Sequence, residues 1–135
     1  VDGLDAAMDR AKQLVDAGAD AIFPEAMRDL GEFEAMRKAV DVPILANMTE
    51  FGKSELFTTT QLSNIGVNIV IYPVTLLRSA MGAAERTLDA INADGTQQSA
   101  VAEMQTRARL YELLDYESYN SFDSSVFNFT LDGHY

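Results

Sequence analysis

Residues 43–52 read Pro-Ile-Leu-Ala-Asn-Met-Thr-Glu-Phe-Gly, and the fold class turns on this stretch. From Pro43 to Ala46 it is apolar, too short for a helix and suited to a buried strand. It then becomes polar at Asn47, Thr49 and Glu50, and Gly52 closes the turn. Carboxamide, hydroxyl and carboxylate therefore gather just past a strand's C-terminal end. Parallel α/β folds place their chemistry there, because the strand fixes the backbone while the following loop faces solvent. Ordinary turn residues in a βα loop have the same composition, so the flanking segments must arbitrate.

Upstream, Leu4, Ala7, Met8, Ala11, Leu14 and Val15 recur at helical spacing, with Asp2 placed to cap that helix and Gly18 to end it. Ala19–Pro24 reads as a short buried strand with Glu25 at its end. Asp29 and Glu32 resemble a capping box for a helix whose apolar face is Leu30, Phe33, Met36 and Val40. Downstream, residues 53–57 read as loop, and Thr58 with Gln61 caps a short helix carrying Leu62 and Ile65 and ending at Gly66. Val67–Tyr72 is β-branched and almost continuously apolar, as for a strand covered on both faces, and Pro73 stops it. Leu77, Ala80, Met81, Ala84, Leu88 and Ile91 mark a long helix ending near Gly95. Strands about two dozen residues apart suit right-handed βαβ crossovers, so the expected class is α/β with a parallel sheet.

Residues 96–104 and 106–114 suggest two further helices. Beyond them, Tyr116, Tyr119, Phe122, Phe127, Phe129 and Tyr135 make up six of the chain's twelve aromatic residues. Side chains that large are costly to leave in water. The tail is therefore expected to pack, either on its own chain or on a partner subunit.

Composition narrows the function classes. The 135 residues, 47% of them apolar, match one ordinary domain. No run approaches the roughly 18 apolar residues of a membrane span, and the N-terminus lacks the basic and apolar regions of an export signal. Cysteine is absent, which excludes disulfides, thiolate metal sites and a cysteine nucleophile within this chain. A net charge of −11 argues against nucleic-acid binding, which needs clustered Lys and Arg. The chain starts at a helix without an initiator Met, so a piece of a longer protein is expected. His134 reads as exposed and inert, Arg86 and Arg109 as surface arginines, and Met8, Met36, Met81 and Met104 as filler on apolar faces.

Four segments taken together carry a resemblance. They are Phe23–Ala26 (FPEA), Ile44–Gly52 (ILANMTEFG), Tyr72-Pro73 with Arg78 soon after, and Gly95–Tyr116, which holds GTQQS and MQTRARLYELLDY. In these the chain resembles the methylisocitrate lyases of the isocitrate lyase/phosphoenolpyruvate mutase superfamily. The first two segments are shared across the superfamily, and the last is more specific to methylisocitrate lyases. The resemblance implies a (β/α)8 TIM barrel in which Ala19–Pro24, Ile44–Asn47 and Asn68–Tyr72 are strands six, seven and eight. A complete barrel takes about 250 residues. Residues 1–95 would then be its C-terminal half, and residues 96–135 a helical extension packed on or swapped with a partner subunit of a homotetramer.

The implied reaction is Mg2+-dependent cleavage of (2S,3R)-2-methylisocitrate to pyruvate and succinate, in a cytoplasmic propionate-degrading cycle. A base takes the proton of the tertiary hydroxyl, the carbon–carbon bond breaks, and an acid protonates the enolate-like carboxylate left behind. By the same resemblance Glu25 supports the Mg2+ site through metal-bound water. Asn47 and Thr49 hold a substrate carboxylate with Met48 between them, and Arg78 and Arg107 reach substrate carboxylates. A planar guanidinium fork suits such a three-carboxylate substrate in a way that Lys does not. Glu50 is read as bonding backbone or an arginine. The family's Mg2+-binding aspartate pair and its Lys-Lys-Cys-Gly-His loop have no counterpart in this sequence, so catalytic residues and direct metal ligands are expected in an N-terminal half. Without the resemblance, Glu25 reads as a solvated or capping residue, and Arg78 and Arg107 as helix-surface arginines. Two other readings stay open: a superfamily member acting on an oxaloacetate-like or phosphonate substrate, and a non-catalytic assembly module.

Overall fold

The computed structural model describes residues 3–127; Asp2, Phe129, His134 and Tyr135 lie outside the described residues. The elements in chain order are α1 (Gly3–Asp16), α2 (Leu30–Ala39), β1 (Leu45–Asn47), α3 (Thr59–Asn64), β2 (Ile69–Ile71) and α4 (Thr75–Asp94). A 3-10 helix (Gln98–Glu103), α5 (Arg107–Leu113) and α6 (Tyr116–Phe127) follow. Two compact units divide after Ala83, inside α4.

The first unit holds the sheet. β1 and β2 pair in parallel, with Leu45 opposite Ile69 and Asn47 opposite Ile71. Ile22 forms a parallel bridge with Ile44 on the other side of β1. Its N–H donates to the Pro43 carbonyl at 2.9 Å, and its carbonyl accepts from the Leu45 N–H at 3.0 Å. The expected strand Ala19–Pro24 is thus reduced to a single bridging residue. Pro24 has no N–H with which to continue the ladder. At the opposite end of the sheet the Asn68 carboxamide replaces a ladder bond, its Oδ1 accepting from the Ile44 N–H at 3.1 Å.

The core lies between this sheet and α1 to α3. Phe33, Met36, Ile44, Ala46 and Leu62 are each at most 1% exposed, and Ala11, Ile22, Met27, Val40, Met48 and Val67 complete the cluster. Phe33 and Phe57 meet edge to face at 6.5 Å. The helix signals hold where their side chains can reach. Thr58 and Gln61 form a full capping box. At α2 only half of one forms: Asp29 accepts from the Glu32 N–H, while the Glu32 carboxylate takes the Arg28 N–H at 2.7 Å and the Arg28 guanidinium. Gly18 and Gly66 adopt φ +103° and +86° at the helix ends.

Three expectations are corrected. β2 is covered incompletely, with Ile69 43% and neighbouring Tyr72 52% exposed. Met81 and Met104 are exposed and fill no core, unlike buried Met36. In the second unit, residues 98–103 form a 3-10 helix instead of an α-helix, closed by i to i+3 bonds such as Met104 N–H to the Val101 carbonyl. None of the described residues of that unit is buried. Within it α5 and α6 pack through stacked Tyr111 and Tyr116, whose ring centres are 4.4 Å apart, while Tyr119, Phe122 and Phe127 stay exposed. No helix among the described residues is long and apolar enough to cross a membrane.

Candidate active site

Parallel register brings the segments after Ile22, β1 and β2 to one end of the sheet, and there the polar residues collect. Each of the three loops turns through a non-glycine residue in the left-handed region: Ala26 (φ 59°), Phe51 (φ 63°) and Val74 (φ 60°). For a β-branched residue such as Val74 this conformation is a genuine outlier, of the kind that persists only where surrounding bonds over-determine it. The Val74 carbonyl accepts from the Arg78 N–H at 2.8 Å, and further bonds tie the neighbouring segments together. The Ser54 hydroxyl donates to the Met27 carbonyl and the Glu55 N–H to the Arg28 carbonyl, tying the loop after β1 to the loop bearing Glu25. The Met48 N–H donates to the Ile71 carbonyl at 2.9 Å, carrying the pairing of β1 with β2 one residue further.

Arg78, on the first turn of α4, reaches back to the loop after β1. Its Nη1 donates to Glu50 Oε2 at 2.7 Å, and lies 3.3 Å from both Thr49 Oγ1 and the Glu50 carbonyl. Glu50 Oε1 accepts from the Thr75 hydroxyl at 2.5 Å. The guanidinium carbon stands 5.6 Å from the centre of the Phe51 ring, within cation–π range. These contacts hold the Glu50 carboxyl below the usual carboxylate pKa, chiefly through the Thr75 hydroxyl, then its own backbone N–H and Arg78. Thr49, by accepting from Arg78, keeps its own hydroxyl proton free to donate to an anion.

Asn47 Oδ1 is buried with no hydrogen-bond partner. Leaving such an acceptor unmet costs on the order of 1–3 kcal/mol, so the group calls for a donor such as a hydroxyl. The Nδ2 end of the same carboxamide is the one that suits a carboxylate. Met48 turns the other way. It is 2% exposed, and its sulfur takes the Phe57 N–H at 3.3 Å. With its own N–H bonded to Ile71, only its carbonyl is left for the site.

Glu25 is exposed on the wall of an open cavity of about 490 Å3 that Arg28, Glu32 and Lys53 also line. Among the described residues no three His, Cys, Asp or Glu side chains come together as a metal site. Arg107 opens α5 in the second unit and is exposed there. Arg109 pairs with Glu112 on the surface at 2.7 Å, and Arg86 is exposed. The sequence reading missed Thr75 and Phe51. The signal for Thr75 was its place directly after the Tyr72-Pro73-Val74 strand end; for Phe51 it was a large aromatic beside the polar triplet.

The family model described as phosphoenolpyruvate phosphomutase matches residues 1–92. The chain belongs to the phosphoenolpyruvate phosphomutase family. It is 54% identical over 134 residues to a probable 2-methylisocitrate lyase 2 of Corynebacterium glutamicum, covering 99% of this chain and 44% of that protein. Among solved structures it is similar to 2,3-dimethylmalate lyase, a phosphoenolpyruvate mutase/isocitrate lyase superfamily member. That match has a TM-score of 0.79 at 20% identity and covers 97% of this chain and 45% of the other. It is also similar to phosphonopyruvate hydrolase in complex with oxalate and Mg2+, with a TM-score of 0.74 at 25% identity, covering 90% of this chain and 44% of the other. The chain therefore spans less than half the length of these phosphomutase-family relatives.

Proposed function

We propose that the whole protein to which this chain contributes is a Mg2+-dependent 2-methylisocitrate lyase. It cleaves (2S,3R)-2-methylisocitrate to pyruvate and succinate in the methylcitrate cycle of propionate catabolism, in the cytoplasm. The observation that carries the reading is Arg78, anchored by Glu50 beside Asn47 and Thr49 at the common end of two parallel strands. That cluster is a carboxylate-binding arrangement on a chain 54% identical to a protein named for this activity. Thr49 contributes a hydroxyl proton and Asn47 an amide N–H to one carboxylate of the substrate, and Arg78 contributes a guanidinium fork to a second. Neutral donors orient an anion without retaining the product as a second cation would. Arg107 contributes a second fork to the remaining carboxylate.

In this reading the strands described here belong to the C-terminal half of a (β/α)8 barrel. Residues 96–135 pack on or exchange with a partner subunit of a homotetramer, in keeping with the exposed Tyr119, Phe122 and Phe127. Mg2+, when bound, supplies charge stabilisation at substrate oxygens that become negative. Its direct ligands come from the N-terminal half, and Glu25 supports them through water. The catalytic acid comes from that half as well, so this chain by itself turns over no substrate. The test is kcat/KM of the full-length protein on methylisocitrate, oxaloacetate and phosphonopyruvate. A preference of at least about a hundredfold for methylisocitrate is expected, and a preference for either of the others assigns the protein to that substrate class instead.

A further inference from the structure

We propose that Glu50 is a positioning residue: together with Thr75 it fixes Arg78 through Nη1, so that the Nε–Nη2 edge of the guanidinium is presented to the substrate carboxylate. The proposal deepens the reading of Arg78 given above and rests on it.

The geometry separates the two edges of the guanidinium. Nη1 carries two protons and has three oxygens within reach, the nearest being Glu50 Oε2 at 2.7 Å. Nε and Nη2 make no hydrogen bond among the described residues. A guanidinium binds a carboxylate at two points along one edge, and here one complete edge is left for that purpose. Glu50 is itself held. Oε2 takes Arg78 while Oε1 takes the Thr75 hydroxyl at 2.5 Å, so each carboxylate oxygen has its own donor and the group cannot rotate without losing one. Thr75 and Arg78 sit on the first turn of α4, whereas Glu50 lies on the loop after β1. The chain of bonds therefore locks the loops after both strands to each other. Phe51, whose backbone sits at φ 63°, adds an aromatic ring near the guanidinium carbon.

Glu50 has two opposing effects on a bound anion. It fixes the fork, which favours binding, and it neutralises part of the charge on Arg78, which disfavours it. The side chains of Arg78 and Glu50 are 39% and 26% exposed, so solvent and salt screen the charge term. The geometric term is not screened, and it decides the sign: loss of Glu50 weakens substrate binding.

The experiment is a double-mutant cycle in the full-length protein, read by steady-state kinetics on methylisocitrate. Glu50→Ala is expected to raise KM about tenfold and Thr75→Val about threefold, with kcat within about twofold, because a hold on a non-reacting carboxylate acts equally in ground and transition states. Each is then combined with Arg78→Lys, and in that background neither raises KM by more than about twofold, since the residue they act through is gone. Equal effects in both backgrounds would mean an ordinary structural role and overturn the proposal. So would a fall in KM for Glu50→Ala, which would make charge the deciding term. If Arg78→Lys raises KM while Glu50→Ala and Thr75→Val do not, the positioning role alone is lost. If Arg78→Lys leaves KM unchanged, the assignment of Arg78 fails first. Thr75→Val removes one hydroxyl at constant size, so the cycle remains decisive even where Glu50→Ala does not fold.

Discussion

Replacing Gly66 with Ala tests the joint that delivers β2, and hence Arg78, to the site. Two costs combine. Gly66 sits at φ +86°, a conformation that costs a residue with a Cβ roughly 1 kcal/mol. A Cβ there would also lie 2.9 Å from both Cγ and Cδ of Arg37, closer than carbon atoms tolerate. Arg37 cannot swing aside freely. Its guanidinium donates to the Val42 carbonyl at 2.8 Å and to the Val40 carbonyl, and its side chain is only 22% exposed. Displacing it forfeits at least one charge-assisted bond, worth about 1.5–3 kcal/mol. The expected loss for Gly66→Ala is therefore about 2.5–4 kcal/mol. Gly95 supplies the control: its φ is +69° with nothing within 4 Å of an added Cβ, so Gly95→Ala should cost only about 1 kcal/mol. Urea titration of the two full-length variants reads both numbers. Equal losses for the two would refute the role given to Arg37, and a Gly66→Ala loss below about 0.5 kcal/mol would refute the reasoning as a whole.

Other outcomes follow from the same contacts. Arg78→Lys keeps a cation for Glu50 but removes the fork, so KM should rise at least about tenfold while the thermal midpoint stays within about 2 °C, because half-exposed ion pairs contribute little. Arg107→Lys should raise KM in the same way, and unchanged kinetics for both arginine variants would place the carboxylate clamp elsewhere. Glu50 has a folded pKa below its unfolded one. Its contribution to stability is therefore present above the ordinary carboxylate pKa and is lost as pH falls through the lower folded value. The wild type should accordingly lose more stability on acidification than Glu50→Gln, and parallel acid-denaturation curves would contradict this.

What was legible in the sequence was whatever depends on near neighbours. Thr58 and Gln61 lie three residues apart and close a capping box, and Gly18, Gly66 and Gly95 end helices because only their φ values permit it. The strand ends at Asn47 and Tyr72 could be placed because the apolar runs stop there. Partnership across the fold was less visible. Glu50 could be read as bonding backbone or an arginine, but it lies 28 residues from Arg78, and no local pattern says which arginine it will hold. The left-handed turns at Ala26, Phe51 and Val74 carry no glycine to announce them. Helical periodicity marked Met81 and Met104 as apolar-face residues, but periodicity identifies a face without identifying what covers it. The same holds for the aromatic tail, where α6 forms and leaves Tyr119 and Phe122 exposed.

The central claim is that the full-length protein cleaves methylisocitrate with a site to which Asn47, Thr49 and Arg78 contribute. It is tested most directly by incubating that protein with Mg2+ and (2S,3R)-2-methylisocitrate and measuring pyruvate and succinate separately. The account predicts that both products appear in equal amounts at a rate linear in enzyme, and that Arg78→Lys at sub-saturating substrate slows them together by about tenfold or more. No pyruvate from wild-type protein, or pyruvate release that Arg78→Lys leaves untouched, would contradict it.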